Sequence, residues 1–351
     1  MIKPSLFGIN KSNRDFTKPN SWGKNQFNSS FPASLCAFLE NEGLDAKYLT
    51  IKDSLFTVSN ISVADLFGIS SLDNSKIFYA FESAYSPYNT YVTGSLPRTD
   101  LVIQDPITKS CLRGLEVKLT ALPDQTTHNK DEKDYGSEIV IRPDTIVYLA
   151  CSLIETIESS NFSFSNLTRI DLPKWDEPLQ AIEVINDILA NLLQLTAELE
   201  GFESPVLLQP IWKTQGKSPI LSDNCLDIFA WSNLGLTRFI HDVSVPAIKT
   251  KKITRQYRTS IWLYKMLQDY FDNGSFDHEE IIDRLSYNLK NDKAFSSSGA
   301  INNKFMKCTE LETPRIKKID IKKIILGNGQ DLLSPERRFD AIIFNSPDIF
   351  E

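Results

Sequence analysis

Residues 99–122 read TDLVIQDPITKSCLRGLEVKLTAL, two apolar runs separated by a short polar turn that contains Pro106. So short a connection joins antiparallel strands, because parallel neighbours need a crossover of a dozen or more residues. In a strand, successive side chains point to opposite faces. Leu115, Val117 and Leu119 therefore share one face, which the alternation predicts to be buried, and Glu116, Lys118 and Thr120 share the other. An acid and a base two residues apart on a strand suit a cross-strand ion pair as well as a reactive site, so the surrounding acids decide what the pattern can do.

The remaining periodicities predict a mixed architecture. FPASLCAFLENE (31–42) reads as a helix with Ser30 as cap, Pro32 near the first turn and Gly43 at the end. Strand-like runs follow at 47–59 and 76–85. Helical spacing resumes at 143–159, opened by Pro143 and Asp144, and at 177–200, where Ile182, Ile185, Ile188, Leu189 and Leu192 form an apolar stripe. Strands are predicted at 205–212 and 225–231, helices at 254–274 and 278–290, and late strands at 316–326 and 338–344. Helices and strands mix without strict βαβ alternation, which implies an α+β or mixed-sheet α/β core. The expected division is 1–245, an N-terminal segment plus core, and 246–351, a helical and strand region expected to contribute to binding, whether separate or integral to one domain.

Composition excludes several classes of function. No apolar run approaches the roughly 18 residues of a membrane span, and the N-terminal stretch has no apolar signal core, so a cytoplasmic protein is expected. The five cysteines are scattered and never form a CxxC pair, and the three histidines lack metal-ligand spacing, which argues against a zinc site. The net charge of −7 is unevenly spread. Residues 151–204 carry ten acids against two bases, while KTKKITRQYR (249–258) has no acid and PRIKKIDIKK (314–323) sets only Asp320 against its bases. Local fields of this kind steer a polyanion whatever the total charge, although each cluster equally suits a solvated face.

The second acid is Asp100, at the head of the first strand of the pair. The turn brings Asp100 and Glu116 onto neighbouring strands, within reach of one hard cation. Magnesium takes oxygen ligands and keeps several waters, so two carboxylates and the Val117 carbonyl form an adequate set. Without a cation the two carboxylates repel and the pKa of one rises. Lys118, on the face of Glu116, is placed to orient or deprotonate a water or to offset charge on a phosphate. The acid-x-Lys triplet recurs at Asp45–Lys47, Asp131–Lys133 and Asp320–Lys322, without the strand–turn–strand context. Glu40, Glu82 and Asp105 are candidates for a third acid, each better explained as a solvent-facing or capping residue.

Asp100, Glu116 and Lys118 resemble the layout of the PD-(D/E)xK nucleases, with Thr99 where the family's proline precedes the first acid and Pro97 two residues earlier. Together with SNRDFTKPNSWGKNQFNSSFPASLCAFLE (12–40) and RRFDAIIF (337–344), the chain looks like the HindVP-type type II restriction endonucleases. That resemblance implies a mixed central sheet flanked by helices, magnesium-dependent cleavage of double-stranded DNA at a palindrome of the GRCGYC type, 5′-phosphate products, and a homodimer matching the twofold target. It implies neither a membrane nor a nucleotide cofactor. A G·C-rich target is read mainly by Arg or Lys on guanine and by Asn or Gln on adenine. The candidates are Lys251, Lys252, Arg255 and Arg258 in the basic cluster and Lys24, Asn25 and Gln26 in the N-terminal block; phosphate contact and loop hydrogen bonding are the plain alternatives. Two other functions use the same residues: a structure-specific repair or junction nuclease, and a DNA-binding protein with a vestigial core.

Overall fold

The strand pair at 99–122 lies within one mixed sheet. The structure is a computed structural model of the chain and describes residues 7–14, 24–70, 76–123, 139–171, 175–215, 220–246, 252–287, 295–297, 310, 313–326, 342–343 and 345–349. In chain order the strands are β1 (Ala46–Lys52), β2 (Leu55–Ile61), β3 (Phe78–Ser83), β4 (Thr99–Gln104), β5 (Cys111–Val117), β6 (Thr120–Pro123), β7 (Ile139–Ile141), β8 (Pro205–Gln215), β9 (Ile220–Ser232), β10 (Phe295–Ser297) and β11 (Ile316–Lys317). The helices are α1 (Lys24–Asn41), α2 (Val63–Phe67), α3 (Pro143–Ser159), α4 (Pro178–Glu198), α5 (Asn233–Ser244), α6 (Arg255–Asn273), α7 (His278–Arg284) and α8 (Lys318–Leu326).

Strands β3, β4 and β5 are antiparallel neighbours, β5 and β6 lie parallel to β8, and β8 runs antiparallel to β9. Strand β1 joins β9 in parallel and pairs with β2 through a tight hairpin in which Asp53 (φ 51°) and Ser54 (φ 58°) both take left-handed backbone. Two positive φ values at the turn match the twist of the flanking strands.

Both faces of the sheet are covered, and the central strands show it in sequence. Leu226 to Trp231 is an almost continuous apolar run, buried throughout, as expected of strands packed on two sides. Alternate residues feed opposite cores: Leu207, Phe229 and Trp231 pack with α3, α4, α5 and α6, whereas Leu208, Ile228 and Ala230 pack with α1, α2 and α8. Gly235 permits the closest approach in this layer, since a Cβ there would lie 2.6 Å from the Leu49 carbonyl oxygen. Helix α6, from the 246–351 region, sits in the same apolar cluster as α3–α5. Among the described residues no helix is long and apolar enough to cross a membrane.

Four elements differ from expectation. The first helix begins at Lys24, so Ser30 and Pro32 lie inside it. Proline costs a helix one backbone bond, and here burial of Phe31, Leu35, Cys36 and Leu39 against the sheet outweighs that loss. The run at 316–326 is a strand for only two residues and then helix α8, with Ile321, Ile324 and Ile325 buried at helical spacing. Short apolar runs do not distinguish the two periods, and the neighbouring surface decides. The strand through GLEVKLT breaks at Lys118 and resumes as β6 at Thr120. Of the predicted strand at 338–344, Ile342 and Ile343 are helical and the rest lies outside the described residues.

Candidate active site

The register of β4 and β5 pairs Leu101 with Leu115, which sets Asp100 across from Glu116 at the next step. The Lys118 Nζ lies 2.6 Å from Glu116 Oε2 and 3.7 Å from Asp100 Oδ2, so the two acids and the base converge. The Val117 N–H donates to Asp100 Oδ2 at 2.8 Å, and the Lys118 N–H donates to the Leu208 carbonyl at 3.0 Å, which anchors the strand break to β8. Glu116 is not on an open surface face as alternation implied: α3 covers it and it is 5% exposed. Thr99 Oγ1 donates to its Oε1 and Thr145 Oγ1 to its Oε2, both at 3.2 Å.

A further acid lines up with this pair. Glu82 on β3 falls across from Asp100, between the pairs Phe81–Leu101 and Ser83–Thr99, and its φ of 47° is left-handed. Arg14 binds Glu82 at 3.2 Å, stacks 4.4 Å from the Phe81 ring centroid and donates to Ser30 Oγ. Asn13 beside it exchanges two hydrogen bonds with the Phe81 backbone, at 2.8 and 2.9 Å, so the N-terminal block is docked on β3 next to the acids. Burial lowers the Arg14 pKa to about 10, partly offset by Glu82 and Asp100. Of the other third-acid candidates, Asp105 accepts from the Ile107 and Thr108 N–H groups and organises the turn, and Glu40 is exposed.

Sequence reasoning missed the contribution of α3. Its first turn brings Asp144 and Thr145 to the site; burial and then Glu116 raise the pKa of Asp144. The signal was present in Pro143-Asp144, which marked a helix start, but nothing local said what the helix would cover. Among the described residues no group of three or more His, Cys, Asp or Glu is arranged to hold a metal.

Electrostatics fit two acids forced together. Burial, then Glu116, push the Asp100 pKa up to about 6 against the opposing pull of Lys118 and the Val117 N–H. Burial depresses the Lys118 ammonium, but Glu116 and Asp100 outweigh it and the net shift is upward. An acid whose pKa is higher folded than unfolded costs stability once ionised, so the cost grows as pH rises from about 4 to about 6 and is full above that. In chelator, Asp100→Asn is therefore expected to raise Tm at pH 8 and to lose most of that gain at pH 4. With the side chain 36% exposed, solvent screening reduces the effect to about 1 kcal/mol, or roughly 1–2 °C in a chain of this length. Thermal scans at the two pH values check it.

The DNA-binding candidates are dispersed. Lys24, Asn25 and Gln26 occupy the first turn of α1, but their side chains lie outside the described residues, as does Lys251 altogether. Lys252 is exposed and Arg255 is half-buried at the start of α6. Arg258 faces inward, 1% exposed, with its guanidinium 5.1 Å from the Trp262 ring centroid. Contact with a base is closed to it in this arrangement. Arg315 of the second basic cluster is committed to Asp227.

Comparison with known proteins places these features in a family. The chain matches the family described as HindVP restriction endonuclease over residues 22–350. It is 49% identical over 350 residues to the "Probable type II restriction enzyme HindVP" of Haemophilus influenzae, covering 99% of this chain and 96% of that protein. It is 41% identical over 352 residues to the "Type II restriction enzyme HgiDI" of Herpetosiphon aurantiacus, covering 99% and 98%. No solved structure matches the chain. With the match running from the N-terminal block through the Asp100–Glu116–Lys118 pair of strands to the C-terminal end, the chain belongs to the HindVP restriction endonuclease family.

Proposed function

We propose that this protein cleaves double-stranded DNA at a short palindrome, of the GRCGYC type that the resemblance implies, with magnesium and with 5′-phosphate products, as a cytoplasmic homodimer. The observation that carries the reading is the convergence of Glu116 and Asp100 on Lys118, at 2.6 and 3.7 Å, in a chain whose relatives are named type II restriction enzymes.

The donor set fits a hard divalent cation: two carboxylates on adjacent strands, one held at a raised pKa of about 6 by burial and by the other, gain from any charge placed between them. Glu116 and Asp100 would hold it, with the Val117 carbonyl as a further oxygen. Magnesium bound there would supply Lewis-acid charge to the scissile phosphate. The Val117 N–H fixes the Asp100 carboxylate from the side of the strand. Lys118 is kept protonated by its two acids, which favours it as a donor to the attacking water or a phosphate oxygen over a role as base. Water adds to phosphorus and gives up a proton to solvent, the bond to the 3′ oxygen breaks, and that oxygen takes up a proton from solvent as the 3′ hydroxyl, so the phosphate remains on the 5′ side.

A palindrome presents equivalent strands to two equivalent sites, which supports the homodimer. Lys252 and Arg255 are proposed to engage the DNA with Lys251 and with Lys24, Asn25 and Gln26 of α1, while Arg258 supports α6 from beneath. The region 246–351 is proposed to be integral to one domain with 1–245, since α6 shares the core of α3–α5.

Incubation of the full chain with sequenced plasmid and magnesium tests the reading. Discrete fragments whose mapped ends share one palindrome, lost on chelation, are expected. Structure-dependent nicking would favour the repair nuclease, and retention of duplex without cutting the vestigial core.

A further inference from the structure

We propose that Thr99 and Thr145 are positioning residues that hold the Glu116 carboxylate in the orientation that takes a divalent cation. The inference rests on the function proposed above and extends it to two side chains outside the acid–base motif.

Glu116 is 5% exposed, and a carboxylate so buried must be hydrogen-bonded. Its two oxygens receive donors from two different elements. Thr99 on β4 serves Oε1 and Thr145 on α3 serves Oε2, each at 3.2 Å, and both threonines are buried, at 1% and 0% exposure. With one hydroxyl donor on each oxygen the carboxylate plane is fixed at both ends. Lys118, by contrast, reaches only Oε2, and its position on the chain just beyond β5 leaves it dependent on the strand break.

The chemistry of the donors matters as much as their number. A hydroxyl orients a carboxylate without neutralising it, so the two threonines, unlike Lys118, take from Glu116 none of the charge that draws a cation. An arginine or lysine in either position would compete with that cation. The framework behind the hydroxyls is equally fixed. One turn after Thr145, the Tyr148 hydroxyl donates to the Pro97 carbonyl at 2.8 Å and accepts from the Tyr85 N–H at 3.0 Å. Helix α3 is thereby pinned to the segment leading into β4 and to the chain leaving β3, and its first turn cannot shift relative to Glu116 without breaking both bonds. Thr99 is set by its strand register opposite Ser83.

The test measures magnesium binding to the full-length protein by calorimetry, and separately the magnesium concentration giving half-maximal plasmid cleavage. The variants are Thr99→Val, Thr145→Val, Thr145→Ser and Glu116→Gln. Each valine variant is expected to weaken magnesium about 10–100-fold, as for other residues that orient a metal-binding side chain, with cutting at saturating magnesium much less affected. Thr145→Ser, which keeps the hydroxyl, should return to near the wild-type affinity. A purely packing role would instead lower Tm in the valine variants with no change in affinity, and that result overturns the proposal. Should Thr145→Val fail to fold, Thr99→Val, on a separate element, decides alone. Loss of binding and cutting in Glu116→Gln with both valine variants unchanged defeats only the positioning role. Binding and cutting retained in Glu116→Gln defeats Glu116 as a metal ligand and the positioning role with it, whereas a wild-type protein that neither binds magnesium nor cuts defeats the proposed function itself.

Discussion

Glu116→Gln is expected to reduce magnesium-dependent cleavage by at least a thousandfold, with the fold intact. The substitution preserves shape and leaves an amide in a site built for a carboxylate, where Thr99, Thr145 and Lys118 all donate to it. Loss of one preorganised donor in an enzyme typically costs about 10²–10³ in rate, and here the anionic group facing the cation is removed. The amide also places an NH2 group against donors that need an acceptor, so a modest fall in Tm is expected alongside. Timed digests of plasmid, with circular dichroism as a control for folding, check the outcome. Cleavage within tenfold of wild type would show that Glu116 is an ordinary partner of Lys118.

Arg315→Met is expected to destabilise the protein by about 3–5 kcal/mol, the cost of leaving a buried charge without its partner. Asp227 lies at the centre of the sheet on β9 with 0% exposure, and Arg315 meets both of its oxygens at 2.9 Å while donating to the Asp45 carbonyl at 2.7 Å. That contact ties the start of β11 to β9 and to the head of β1. Urea unfolding should show the midpoint falling, and the double variant Asp227→Asn, Arg315→Met should recover much of the loss because no unpaired charge remains. If the single variant unfolds at the wild-type midpoint, the pair contributes nothing and the segment is held by Ile316, Ile321 and Ile324 alone.

The same pair shows how much of the chain could be read in one dimension. PRIKKIDIKK stands out as a basic cluster, yet its first base is a structural cation facing a buried acid, and its isoleucines turn from strand to helix within two residues. Asp227, inside an apolar strand, gives no sign of its partner 88 residues away. Arg258 repeats the lesson: the helix it belongs to was legible from its spacing and from Gly274, but which face turns inward depends on α3–α5, which pack around it. Where apolar periodicity was long, as in α3, α4 and α6, prediction and structure agree closely. Where a run was short, the neighbouring surface chose between two periods.

Local alternation and a short turn determined the antiparallel pair carrying Asp100, Glu116 and Lys118, because strand geometry and chain length leave the backbone few ways to reverse. Tertiary structure alone decided that Glu116 is buried, that α3 brings Thr145 to it, and that Glu82 with Arg14 extends the acidic row across β3. These contacts join residues far apart in the chain, and no propensity of a single segment encodes which distant surface will desolvate it.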